Sequence, residues 1–179
     1  MDAMFVILRE DYKEYIEEKS EELRTRVNEK LKSKEVTSPH VNTFDTFKKI
    51  VEILRGKLVE HNSLSVPAEY APTDDGEMFT IHYRNGVTIE ELAHELGHHC
   101  LHMGEKASHD HGLKPKKEIE ANYFAKCFLL PRTIFKETVI AKSDNGQCDI
   151  VSLANEFSVS YLFAESRGND LHIWGESNG

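Results

Sequence analysis

The chain has 179 residues, with 22 Lys and Arg against 31 Asp and Glu, a formal net charge of −9 and 39% apolar residues. That length suits one compact domain, or one domain with a helical extension. The composition argues against a membrane span, which needs roughly 18–20 uncharged apolar residues in a row, and against nucleic-acid binding through phosphate neutralisation, for which there is no basic excess.

The apolar start, residues 3–8, runs directly into Arg9, Glu10 and Asp11, so no secretory signal is expected. Residues 2–35 lack Gly and Pro and carry apolar side chains at Phe5, Leu8, Tyr12, Ile16, Leu23, Val27 and Leu31. These steps of three and four predict one long amphipathic helix, its stripe interrupted at Lys19 and its apolar face packed on the rest of the domain. A linker containing Pro39 follows at 37–42. A second helix is predicted over 44–59, with Thr43 as N-cap and Phe47, Ile50, Val51, Leu54 and Leu58 on one face. Residues 64–76 hold two prolines and an Asp-Asp-Gly turn and read as loop or short strand. Residues 78–83 alternate and favour a strand that ends in the Asn85-Gly86 turn.

Thr88 and Glu91 then match a capping box, in which each side chain satisfies an orphan backbone N–H at a helix start. That helix should run to about Met103, with Gly104 just past its end. A polar loop is predicted over 105–117. Another helix follows from about Lys116 to Leu130, stopped by Pro131. Short helices are expected over 134–141, 150–157 and 160–166, with turns at Asp144-Asn145-Gly146 and Ser158. A loose tail is expected around Trp174.

Ten histidines are present. His94-Glu95-Leu96-Gly97-His98 is an HExxH sequence inside the well-capped helix. Four residues separate His94 from His98, so both imidazoles leave one face, one turn apart, and can share a zinc ion. Glu95 is rotated about 100° from His94 and is placed to take a proton from water rather than to join the ligands. A buried face carrying two histidines and a glutamate also needs compensation, which a metal supplies. The third ligand should come from the helix 20 residues downstream, where Glu118 and Glu120 lie about 200° apart and cannot both face the metal. Glu118 is preferred to Glu120. It shares a face with the small Ala121 and Ala125, which permit close helix approach, whereas Glu120 sits with Tyr123, Phe124 and Cys127. Asn122, one turn beyond Glu118, could orient a ligand imidazole. Two His and one carboxylate favour Zn2+ for hydrolysis.

Together, HELGHHCLH (94–102) and EIEANYFAKCFLLP (118–131) resemble the ImmA/IrrE family of zinc metallopeptidases, within the gluzincin group. The resemblance runs through His94, Glu95, His98, His102, Glu118, Ala121, Asn122, Phe124, Ala125, Leu130 and Pro131. Phe128 stands one place before the family's usual Leu-Leu pair. Weaker similarity continues through Leu153, Phe157, Val159 and Arg167, so the resemblance covers about 78–167. It implies a metallopeptidase with His94, His98 and Glu118 as metal ligands and Glu95 as general base. The implied substrate is a partner protein, a helix-turn-helix transcriptional repressor that is cleaved or otherwise inactivated. The alternative is a metal-containing regulatory protein that sequesters such a partner without cutting it.

The remaining features have plainer readings. His99 is expected at the surface or behind the ligands, His102 as structural, and His109 and His111 as solvated loop residues. His82, Tyr83, His109 and His111 are the candidates for stabilising an oxyanion. The edge of the 78–83 strand is the expected bed for an extended substrate. Cys100, Cys127 and Cys148 form no CxxC pair and read as reduced thiols of a cytoplasmic protein. Residues 150–167 imitate a helix-turn-helix, but the second helix offers Tyr, Leu, Phe and Glu before one Arg, which suits packing better than DNA. The expected architecture is α+β, a minimal zincin-like domain with a small antiparallel sheet against the two metal-bearing helices. The chain is divided into an N-terminal helix (1–36), the metallopeptidase domain (43–167) and a tail (168–179). No direct nucleic-acid or membrane partner is expected.

Overall fold

The computed structural model describes residues 8–31, 42–73, 77–103, 114–144 and 147–174. Several expectations lie outside the described residues: those for Phe5, for 37–41 of the linker, for the Asp-Asp-Gly turn and Gly104, for the loop holding His109 and His111, and for Asn145-Gly146.

The first helix, α1 (Glu10–Leu31), buries Ile16, Ser20, Leu23, Arg24 and Val27. Ser20 therefore carries the stripe past Lys19, which turns outward to Glu22 at 2.7 Å. Helix α2 (Phe44–Ile53) starts at Thr43, whose side chain accepts from the Thr46 N–H. It is shorter than the 44–59 read from periodicity. Leu54 caps it, Arg55 takes a left-handed φ of 64°, and the chain leaves as strand β1 (Gly56–Glu60). Gly56 lies under the Phe79 ring, where any Cβ would collide with it. The spacing of Leu54 and Leu58 fits a helix, but Gly56 and Leu58 also share one face of a strand, and the tertiary contact decides.

Strand β2 (Ala68–Pro72) and strand β3 (Phe79–Tyr83) form an antiparallel pair. β3 also pairs with β1, in parallel, so the order is β1-β3-β2. The fold class is α+β as expected, but the sheet is mixed rather than wholly antiparallel. β3 inserts between the two strands that precede it, which also makes it central. The substrate bed expected at its edge is thus already occupied on both sides.

Helix α3 (Ile89–His102) begins with the complete Thr88–Glu91 capping box. It packs on β2 and β3 and on α4 (Lys114–Leu129), and α4 in turn packs on α1. α5 (Arg132–Ala141), a two-residue hairpin of β4 (Ser143–Asp144) and β5 (Gln147–Cys148), α6 (Ile150–Phe157) and α7 (Tyr161–Asp170) complete the order. Ser158, at φ 54°, turns α6 into α7. Phe79, Ile81, Leu92, Leu96, Phe124 and Phe128 are at most 2% exposed and form the centre of the core. Each such side chain contributes about 1.5–3 kcal/mol by leaving water.

The loose tail expected from 168 is not seen over its described part. α7 continues to Asp170, and the Trp174 indole N–H donates to the Glu165 carbonyl at 2.9 Å while its ring covers Gly168. Among the described residues, no helix is long and apolar enough to cross a membrane.

Candidate metal centre and active site

The site is built where α3 crosses α4. Gly97 permits this crossing: a Cβ there would stand 2.9 Å from the Ala121 carbonyl oxygen and 3.0 Å from its Cα. With Gly97 against Ala121, the residues flanking the contact on each helix are brought face to face. His94 Nε2 lies 3.0 Å from His98 Nε2 and 3.1 Å from Glu118 Oε2, and His98 Nε2 lies 3.3 Å from Glu118 Oε1. The two histidine side chains are 17% exposed and the Glu118 side chain 55%, so the cluster opens to solvent on the carboxylate side.

These residues fit a metal on their own geometry. Ligands bound tetrahedrally at about 2.0–2.1 Å stand about 3.3 Å apart, close to the spacings found. The histidine tautomers agree. His94 Nδ1 is 2.9 Å from Asn122 Oδ1, an acceptor, so Nδ1 carries the proton and Nε2 presents its lone pair to the cluster. Burial, with the neighbouring His94, pushes His98 down to about 4, so this imidazole is neutral and able to ligate near neutral pH. Among the described residues, His94, His98 and Glu118 are the group of three or more His, Cys, Asp or Glu side chains able to hold a metal ion.

Glu120 faces elsewhere. Its side chain is 4% exposed and lies 3.5 Å from His102 Nε2 and 3.5 Å from Lys116 Nζ. His102 is packed beside the His98 ring at 5.7 Å, in keeping with a structural role. His99 stacks on Phe79 at 3.8 Å, and its Nδ1 is 3.3 Å from the Tyr70 hydroxyl. Burial pushes His99 down to about 4 as well. His82 meets His61 edge-on and Tyr83 meets Phe44, and neither lines the pocket beside His94.

Glu95 points to the sheet side of α3. Its Oε2 accepts the Tyr70 backbone N–H at 2.8 Å, which leaves Oε1 for another donor. Burial raises its pKa, opposed by the neighbouring His94 and by the Tyr70 N–H. Tyr70 was hidden in the sequence, in a stretch read as loop or short strand. In the β2–β3 ladder Pro67 pairs with Arg84 and Thr73 with Met78, so the alternate residues Ala68 and Tyr70 turn their backbone groups away from β3. That free edge runs along the site.

An α+β domain with paired histidines and a following glutamate on one helix, completed by a carboxylate from the next, has the architecture of a zincin-type metallopeptidase. Residues 87–169 match the family model of the IrrE N-terminal-like domain, Peptidase_M78, which supports the resemblance to the ImmA/IrrE-type metallopeptidases. The matched segment holds α3 to α7, while α1, α2 and the three-stranded sheet precede it. Among solved structures, a Mycobacterium tuberculosis transcriptional regulator has a similar fold, with a TM-score of 0.56 and 16% identity over 86% of this chain. The chain spans about half the length of that protein, 47%. No curated protein matches it.

Proposed function

We propose that this chain is a zinc-dependent metalloendopeptidase that acts in the cytoplasm on a regulatory protein, a helix-turn-helix transcriptional repressor. The observation that carries the reading is the convergence of His94 Nε2, His98 Nε2 and Glu118 within 3.0–3.3 Å, with Glu95 one residue from His94. In this reading His94, His98 and Glu118 hold Zn2+ and Glu95 is the general base. Bound there, zinc supplies the Lewis acidity that makes water a nucleophile near neutral pH and polarises a carbonyl.

The chain's own groups do the rest. An extended segment of the partner lies along the outer edge of β2 at Ala68, beside the Tyr70 N–H that Glu95 already holds. Glu95, held by the Tyr70 N–H, accepts the proton of the attacking water through its other oxygen and returns it to the departing amide nitrogen. The net charge of −9 supports a protein partner over DNA, and in particular a basic DNA-binding one.

The test is metal analysis of the pure protein, followed by incubation of the zinc-loaded form with helix-turn-helix repressors from the same genome and mass spectrometry of the products. Glu95→Gln should retain metal and partner binding but lose about 10²–10⁴-fold in cleavage rate. If the variant relieves repression as well as the parent, or the repressor stays intact while repression is lifted, sequestration without cutting replaces hydrolysis.

A further inference from the structure

Glu95 and His99 stand one turn apart on α3, so both side chains leave the same face of the helix. They hold one residue of β2 at two points. Glu95 takes the backbone N–H of Tyr70 at 2.8 Å, and His99 Nδ1 meets the hydroxyl of the same tyrosine at 3.3 Å. In either tautomer of the imidazole, one member of that second pair donates and the other accepts.

The double hold matters because of where Tyr70 lies. β2 is five residues long and has a strand partner, β3, on one side only. Its outer backbone groups have no ladder to fix them. The Glu95 carboxylate is held by one of those groups, so its aim follows any shift of Tyr70. The tyrosine side chain supplies the missing support. Its ring lies 5.7 Å from that of His99 and 6.0 Å from that of Phe79, and His99 stacks on Phe79 at 3.8 Å with 21° between the planes. Phe79 is 1% exposed, belongs to the central strand and covers Gly56 of β1. Tyr70 is thus tied through His99 to a ring of the core.

His99 lies outside the group formed by His94, His98 and Glu118, and it does not line the pocket beside His94 and Glu95. It lines instead a groove with Leu23 of α1 and with Leu54. Any effect on the chemistry therefore runs through Tyr70. Packing alone does not call for the hydroxyl, since a phenylalanine would fill the same space.

We propose that His99 and the Tyr70 hydroxyl are positioning groups for Glu95. His99 fixes the Tyr70 side chain, and Tyr70 then holds its N–H in one place. That N–H engages one carboxylate oxygen of Glu95 and leaves the other for the proton of the attacking water. This rests on the peptidase reading above, and adds to it two groups that are not metal ligands.

The experiment uses the full chain loaded with zinc and a helix-turn-helix repressor from the same genome. Tyr70→Phe removes one oxygen. His99→Phe keeps a flat ring on Phe79 but no nitrogen, and His99→Gln restores a partner for the hydroxyl. Tyr70→Phe and His99→Phe should each lower kcat about 10–100-fold, the scale set by misplacing a reacting group by about 1 Å. KM and zinc affinity should stay within about twofold, because the lost interaction acts in the transition state. The double variant should be no slower than either single one, and His99→Gln should recover most of the rate. Amide exchange followed by NMR gives a second readout. The Tyr70 N–H should exchange about tenfold faster in both variants. The Glu69 and Ala71 amides, which face β3, should keep the parent's rates.

An unchanged kcat, additive losses in the double variant, or zinc affinity falling in step with kcat overturns the proposal. So does a rise in KM alone, which would make these groups part of the substrate's bed. Equal acceleration of all three amides would mean a loosened strand, a structural role only. If His99→Phe does not fold, Tyr70→Phe decides by the same criteria. If the parent binds zinc but cuts no repressor, the peptidase reading falls. Amide exchange then decides the rest: faster exchange confined to Tyr70 keeps the hold on Glu95, and unchanged exchange removes it as well.

Discussion

Asn122 shows how much one uncharged side chain can decide. Its Oδ1 accepts from His94 Nδ1 at 2.9 Å, which fixes the imidazole as the tautomer whose Nε2 lone pair faces His98 and Glu118. Without that acceptor the ring can rotate or protonate the wrong nitrogen, and ligation must first reverse the change. Asn122→Ala should therefore weaken zinc binding by about 10–100-fold, measured by competition with a chelator. The metal-free protein should unfold at a nearly unchanged temperature, because the lost hydrogen bond is partly exposed. Asn122→Asp keeps the acceptor and should restore affinity. If the alanine variant binds zinc as the parent does, His94 is oriented by something other than this contact.

The crossing of α3 and α4 sets the site, and Gly97 sets the crossing. In a free helix Gly→Ala gains up to about 1 kcal/mol. Here the new methyl would press on the backbone of Ala121, at 2.9 and 3.0 Å, which cannot swing aside as a flexible side chain could. Overpacking of this kind costs about 1–3 kcal/mol, so the clash outweighs the propensity gain. Gly97→Ala should lower the denaturant midpoint and, by pushing Glu118 away from the histidines, lower metal content too. A more stable variant with full metal content would show that the helices can separate freely. Much of this pair of helices was legible in the sequence. The Thr88–Glu91 box fixes where α3 starts, which fixes that His94 and His98 share a face, and the small residues beside Glu118 indicate which acid can come close. The sheet was less legible. β2 reads Ala-Glu-Tyr-Ala-Pro, without clean alternation, because it is an edge strand whose role lies in its backbone: Tyr70 holds Glu95 by an N–H that every residue except proline carries. The mixed order was hidden because pairing between β1 and β3 depends on Gly56 fitting under Phe79, a contact between residues far apart in sequence.

The helices on either side of this crossing are joined by one buried ion pair. Arg167, fully buried on α7, donates to both oxygens of Glu17 on α1, at 2.7 and 2.8 Å, and through Nε to the Leu130 carbonyl at 3.0 Å. α1 precedes the segment that matches the family, yet it supplies the counter-charge for a residue inside that segment. It is therefore part of the folding unit. Glu17→Gln would leave a guanidinium in the interior without its carboxylate, a change of about 3–5 kcal/mol. The pH dependence identifies the cause. Burial alone would raise the Glu17 pKa, but the hydrogen bonds and charge of Arg167, with help from Arg132, outweigh it and hold the group below its ordinary 4.5. Between the folded and unfolded values the unfolded chain binds more protons, so stability rises with pH there. The contribution of Glu17 is complete above 4.5 and fades as pH falls through the lower folded value. The gap in unfolding free energy between parent and Glu17→Gln should accordingly be widest near about pH 7 and narrow as pH falls through the lowered folded value. A gap that stays constant across that range would mean that the variant fails by packing rather than by charge. Replacing both partners, Glu17→Leu with Arg167→Met, separates the two causes further. It removes the charges while keeping much of the volume, and should recover a large part of the stability lost in the single variant.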